Sequence, residues 1–338
     1  MFDDDKLPTS ARDFTRGIFK GGDDQASLYR RIAYGMPGTP MPSSTKMTTE
    51  QMVDLVHYIR SLSDESARKA AVLSRERIVA RRVDGLPQSG DDKSWAAVPA
   101  TRIRLTPLWW RNDFDPQRDG VDVQAVHDGK SLVVRLSWQD ATENSAATAT
   151  EAFEDGTAME LFGGDAEPFI GMGGPKSPVD VWYWDADRQF APDALASRYP
   201  NAVVDRYPFS EKAAVTAEFN RPGTKSEQQP DISLPARASG NPIVPDGKHT
   251  ASALTTGGPG SATFRMPKSQ LVTAHGTWSD GQWTVVMTRR LKVESEDDGV
   301  SLEPGERVSA AFAVWDGAHR DRDGQKLISI WQDLELEK

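Results

Sequence analysis

Two segments of this chain repeat one device. Val121-Asp-Val-Gln-Ala-Val126 and Leu132-Val-Val-Arg-Leu-Ser-Trp138 flank the stretch His127-Asp128-Gly129-Lys130. Further on, Leu271 to Trp278 and Trp283 to Thr288 flank Ser279-Asp280-Gly281-Gln282. Alternating apolar positions give each strand one core-facing side, and Asp-Gly supplies the positive φ that a tight hairpin turn requires. Val179–Trp184, Val308–Val314 and Leu327–Trp331 read as three more strands. Short strands with aromatic ends and glycine turns predict a mainly β fold, an antiparallel β-sandwich or open barrel, and we take the sandwich.

The front of the chain has a different period. Thr48 and Gln51 have the spacing of a capping box, and Met52, Leu55, Val56, Ile59 and Leu62 follow as one helical stripe. Leu28, Tyr29 and Ile32 suggest a shorter helix before it. Between them, Tyr34-Gly-Met-Pro-Gly-Thr-Pro-Met41-Pro42 holds three prolines and two glycines in nine residues and cannot be helical. Residues 64–92 are charged and read as an exposed connecting helix, with arginines at 75, 77, 81 and 82, running into a Gly-Pro-Ser linker. The predicted organisation is therefore 1–63, a small helical unit; 64–92, a connector; and 93–338, the β domain. The stretch 220–262, rich in Pro, Gly, Ser and Thr, reads as a long loop.

Composition narrows the function. Fifty acidic against forty basic residues give a net charge of −10, which argues against a nucleic-acid surface. The absence of cysteine excludes disulfides, thiolate zinc sites, cysteine-ligated clusters, thiol nucleophiles and thioether-linked haem within these residues. No apolar run reaches the ~18–20 residues of a membrane span. The opening Met-Phe-Asp-Asp-Asp-Lys lacks a signal-peptide pattern. There is no Ser/His/Asp order, zinc helix or phosphate-cradling loop, so catalysis by this chain itself is not expected. The acidic Asp3-Asp4-Asp5 and Asp297-Asp298 read as solvated surface, and tryptophans at strand ends read first as core.

Two methionines stand out. Met41 is held in a rigid Pro/Gly loop between two helices, where a thioether can serve as an axial ligand to haem iron or can plug a small core. Gly35-Met-Pro-Gly-Thr-Pro-Met41-Pro42, followed by a helix ending His57-Tyr-Ile-Arg-Ser-Leu62, resembles the C-terminal half of class I cytochromes c over residues 11–62. The resemblance implies that Met41 ligates a c-type haem. The Cys-x-x-Cys-His that binds such a haem would have to lie upstream of Met1.

Met172 lies between Gly171 and Gly173, which would let backbone approach a flat ligand while the thioether reaches its centre. The alternative is a loop with one buried methionine. Asp155-Gly-Thr-Ala-Met159-Glu, Gly171-Met172-Gly173 and Pro178-Val-Asp-Val-Trp-Tyr-Trp184 occur in that order. They are followed by Gly276-Thr-Trp278 through Trp283, Arg289-Arg290-Leu291, and Ala313-Val-Trp-Asp-Gly317 through Lys326 to Trp331. Together these resemble the ethylbenzene dehydrogenase γ-subunit family, the haem b subunits of molybdenum enzymes related to dimethyl sulfoxide reductase, over residues 95–336.

That resemblance implies a β-sandwich holding one non-covalent haem b between a methionine and a lysine. The methionine carries over to Met172. For the lysine, Lys268 is the first candidate and Lys248, beside His249, the competitor; His275 is a third possibility on ligand chemistry. A ligating lysine must be neutral, so its amine must be buried. The expected protein is an electron-transfer subunit with haem b, and haem c if the upstream motif exists. Its expected partners are iron–sulfur and molybdenum subunits and a soluble electron carrier, in the periplasm. Two other classes remain: a binding module that stacks sugars on exposed tryptophans, and a haem-free docking subunit.

Overall fold

The structure is a computed structural model that describes residues 13–19, 23–35, 41–44, 46–108, 119–145, 151–168, 170, 172–190, 250–258 and 260–338. Three helices come first: α1 (Gln25–Tyr34), α2 (Thr49–Ser61) and α3 (Glu65–Ala71). The capping box predicted at the start of α2 is formed, with Gln51 N–H donating to Thr48 Oγ1 at 3.2 Å and Thr48 N–H to Gln51 Oε1 at 2.9 Å. Leu28 and Ile32 of α1 bury against Met52 and Val56 of α2, the faces that helical spacing selects.

The strands are β1 (Arg77–Arg82), β2 (Thr101–Arg104), β3 (Thr106–Pro107), β4 (Gly120–His127), β5 (Ser131–Gln139), β6 (Gly156–Phe162) and β7 (Val179–Asp185). They continue as β8 (Ser252–Thr256), β9 (Thr263–Phe264), β10 (Thr273–Ser279), β11 (Gln282–Arg290), β12 (Arg307–Trp315), β13 (Leu327–Ile328) and β14 (Gln332–Leu336). They make one sheet, whose main path is β10-β11-β5-β4-β1-β14-β12-β6-β7-β8-β9. Both predicted hairpins form. The second closes on a two-residue turn with Asp280 at φ 52° and Gly281 at φ 75°, so that Trp278 faces Trp283 across β10 and β11.

The connector reading of 64–92 fails in its middle. Residues 77–82 are a strand, not a helix, and β1 lies between β14 and β4, parallel to both. The sheet is therefore mixed rather than wholly antiparallel, and it begins before residue 93. The cause is a period of two that the arginines mask. Ile78 and Ala80 are buried, while Arg77 reaches out to Glu335 at 2.7 Å and Arg75 to Asp333. Charge count suggested a solvated helix; alternation decided the strand.

One core joins the two ends of the path. Trp184 of β7 packs edge-on against Trp283 of β11 at 5.1 Å, and a Cβ on Gly276 of β10 would overlap the Trp184 ring. Gln189 stitches the same seam, accepting from Trp184 Nε1 and from Gly276 N–H and donating to the Gly276 carbonyl. Within this core Asp180 accepts from Arg289 at 2.6 Å and lies 3.3 Å from Arg265, all three nearly sealed from solvent. The Arg289 guanidinium lies 4.8 Å from the Trp182 ring centre.

Candidate functional site

The face of β6, β7 and β12 that points away from this core carries the candidate site. Pairing registers set Glu160 opposite both Val181 and Ala311, and Ala158 opposite both Tyr183 and Ala313. Cross-strand partners share a face. Around Glu160, which stands between Ala311 and Val181, this face is floored by Ala158, Ala311 and Ala313, side chains that rise one carbon from the sheet, with Val179 beside them. Larger groups stand around the floor: Phe162, Tyr183, Trp315 and Trp331. Alanines on β6 and β12, valines on β7 and aromatics at the margin make the surroundings of Glu160 apolar.

Met172 stands at one margin. Its loop runs from Ile170, which packs on Val179, Ala311 and Trp331 of that same face. Met172 itself has φ 82°, a conformation that a side chain other than glycine adopts only when its surroundings hold it. Its carbonyl accepts from Gly258 N–H at 2.8 Å and from the Thr256 hydroxyl, which fastens the loop to the end of β8. Gly173 follows at φ 75°, with room for a Cβ only 2.9 Å from the Ser177 carbonyl, so glycine is required there. Gly171 lies outside the described residues.

At another margin is a lysine that the ligand chemistry did not single out. Arg322 and Gln325 exchange backbone hydrogen bonds at 2.9 and 2.7 Å around a tight turn, and the next residue, Lys326, enters β13 with its carbonyl bound by Leu108 N–H. Its Nζ lies 4.6 Å from the Trp315 ring centre. Burial pushes the Lys326 ammonium below its ordinary pKa, against the opposing pull of Glu160 and Asp323. Burial also pushes the Glu160 carboxyl up to about 8, and its Oε1 has no hydrogen-bond partner. Tyr183, edge-on to Trp315 at 5.4 Å, is likewise pushed upward by burial. A desolvated amine thus borders an apolar floor, and an orphaned carboxyl oxygen rises from within it.

The other predicted ligands lie elsewhere. Lys268 is exposed on a single turn of 3-10 helix, Pro267–Ser269, where its charge acts on Asp298. It lacks the burial that a neutral lysine needs, whereas the amine of Lys326 is desolvated. Lys248 and His249 lie outside the described residues. His275 is exposed on β10. Met41 is 38% exposed, in a loop folded tightly enough that a Cβ on Gly35 would lie 2.7 Å from the Met41 carbonyl oxygen. The described tryptophans are buried except Trp278 and Trp315, which are half-buried; Trp109 and Trp110 fall outside the described residues. No described helix is long and apolar enough to cross a membrane.

Lys326 left a signal in the sequence. It is the one charged residue between a Gly-containing turn and the apolar run Leu327–Trp331, a position where a lysine must either snorkel or be used.

Residues 92–327 match the sequence model described as ethylbenzene dehydrogenase. The γ subunit of dimethylsulfide dehydrogenase from Rhodovulum sulfidophilum is 30% identical over 72% of this chain and 73% of its own length. A Haloferax mediterranei protein assigned as a respiratory nitrate reductase heme subunit is 26% identical over 79% of this chain and 73% of its own. The chlorate reductase γ subunit of Ideonella dechloratans is 27% identical over 79% and 88%. Among solved structures, a family 9 carbohydrate binding module of Caldicellulosiruptor kristjanssonii with cellotriose aligns over 78% of this chain and 94% of its own at 10% identity, with a TM-score of 0.37. On the extent of the profile match and the order of its motifs, this chain belongs to the ethylbenzene dehydrogenase family.

Proposed function

We propose that this chain is the electron-transfer haem subunit of a periplasmic molybdenum and iron–sulfur oxidoreductase complex, and that it holds one haem b over the alanine floor between Met172 and Lys326. The observation that carries the reading is the pairing of a strained, clamped methionine loop and a desolvated lysine on one side of the sheet. The floor suits a flat macrocycle because its side chains are small, and the orphaned Glu160 oxygen marks a polar group awaiting a partner. Relatives named as γ or heme subunits of reductase and dehydrogenase complexes support the same reading.

In this role the chain does no bond chemistry. Haem, when bound, supplies a one-electron couple; the protein's residues set its ligation, exclude water and fix its position relative to a partner centre. Met172 offers a neutral thioether, and Lys326 offers an amine whose charge is already disfavoured by burial. The α1–α2 unit extends the proposal. With Met41 as distal ligand it would serve a c-type haem, given a Cys-x-x-Cys-His upstream of residue 1, and the two haems would form a relay.

The test is a pyridine haemochrome spectrum of the full chain expressed with haem available. A b-type signal near one per chain supports the proposal. A folded chain that retains no haem overturns it.

A further inference from the structure

Three carboxylates converge at one end of the sheet, beside the Trp315 margin. Asp140 follows β5, Asp155 precedes β6, and Asp316 follows β12. One oxygen from each lies within 4.8 Å of the others. Asp155 is fully buried and Asp140 is 4% exposed. Among the described residues no lysine or arginine pairs with any of the three. Their hydrogen bonds come from neutral donors and one histidine. Asp155 accepts from Gly317 N–H at 2.8 Å, Asn144 N–H at 2.7 Å and Trp283 Nε1–H at 2.9 Å. Asp316 is held by the Ala318 and His319 amides and by His319 Nδ1 at 2.6 Å.

A second observation points to a ligand. Asp140 spends Oδ1 on the Thr142 amide and hydroxyl, while its buried Oδ2 has no hydrogen-bond partner at all. A sealed carboxylate oxygen without a donor carries the full cost of its lost hydration. Burial, with the neighbouring acids, pushes the Asp140 carboxyl up to about 7; burial pushes Asp155 up to about 6.

We infer that Asp140, Asp155 and Asp316 form a site for a hard divalent cation, Ca²⁺ in particular. All the ligand atoms are oxygens, which such ions prefer, and two oxygens each about 2.4 Å from one Ca²⁺ can stand up to about 4.8 Å apart. The ion would staple the end of β5, the start of β6 and the end of β12. Asp316 directly follows Trp315, and Gly317 N–H binds Asp155, so the same staple would brace the margin where Lys326 lies.

The inference is independent of the haem proposal and is tested on the full-length chain after chelation. Ca²⁺ at about 1 mM should raise Tm by several degrees, because a ligand that binds only the folded state stabilises it. Mg²⁺ at the same concentration should do much less. Tb³⁺ should give tryptophan-sensitised emission, since Trp283 donates directly to Asp155, and Ca²⁺ should quench that emission by competition. Asp140→Asn should abolish both responses while retaining the wild-type fold by circular dichroism. Should Asp140→Asn fail to fold, the wild-type Tb³⁺ and Ca²⁺ competition decides alone. No sensitised emission together with a Tm indifferent to Ca²⁺ would overturn the inference and leave the cluster held by a shared proton. Unaltered Ca²⁺ binding by a folded Asp140→Asn protein would overturn the assignment of ligands.

Discussion

The Lys326 amine lies 4.6 Å from the centre of the Trp315 ring, and the Trp315 indole N–H donates at 3.1 Å to the Asp323 carbonyl in the turn that presents Lys326. The ring is thus fixed by the turn whose lysine it supports. Such a lysine cannot easily swing into solvent, which is what a ligand position demands.

Lys326→Ala should lower haem retention by at least about tenfold and convert a low-spin spectrum towards high spin, as expected when a group that fixes a metal site is removed. Lys268→Ala should leave both unchanged. Titration of each purified variant with haemin measures this, and equal retention in the two variants would reject Lys326 as a ligand.

Ala311→Leu should fill the floor without disturbing the core behind it. Inserted methylenes cost about 1–3 kcal/mol in a closely packed space, which corresponds to a loss of roughly tenfold or more in haem affinity. Far-ultraviolet circular dichroism should stay at the wild-type level. Full haem occupancy in this variant would place the cofactor elsewhere.

Asp180→Asn should be strongly destabilising. It leaves Arg289 and Arg265 buried without their shared carboxylate, and breaking a buried pair from one side costs about 3–5 kcal/mol. The urea midpoint should fall with little change in slope.

Stability of the haem-free, chelated protein should decline as pH rises from about 5 to about 8. Glu160, Asp140 and Asp155 all have folded pKa values above their unfolded ones, near 8, 7 and 6 respectively. Each contributes stability fully below its unfolded pKa and loses it as pH climbs through the folded value. Lys326, shifted downward, works with the opposite sign, its contribution being lost as pH falls through its folded pKa. Glu160→Gln should flatten the upper part of the decline, and Tm measured across this range in both proteins checks it.

Gly173→Ala should weaken haem retention while sparing the fold. The position needs φ 75°, and an alanine Cβ would crowd the Ser177 carbonyl, so the strain falls on the Met172 loop itself.

The hairpins were legible because alternation and Asp-Gly turns are local signals: Trp278 and Trp283 meet where the two-residue turn requires. The α2 cap at Thr48 was legible for the same reason. β1 was not, because four arginines within eight residues outweighed the two buried positions, Ile78 and Ala80, that define its face. Met172 stood out through its flanking glycines and neighbouring motifs, but the φ of its clamped loop was not legible. That the buried amine belongs to Lys326 and not to Lys268 could not be read from spacing, since burial depends on Trp315 and Glu160, which reach it only through strand pairing. The acid cluster was invisible for a like reason: its members are separated by as many as 176 residues and meet only at strand ends.

The parallel place of β1 has a consequence for biogenesis. Arg77 to Ala80 pair with Asp333 to Leu336, so one edge of β1 stays uncovered until a segment far along the chain has been made. Until then the middle of the sheet is open, an exposed template that slow, non-local closure leaves vulnerable to misassembly. Lys326 lies shortly before that segment, just ahead of β14. The seam of the sheet and the margin at Lys326 therefore depend on the same distant segment, and neither is complete until that segment has joined β1.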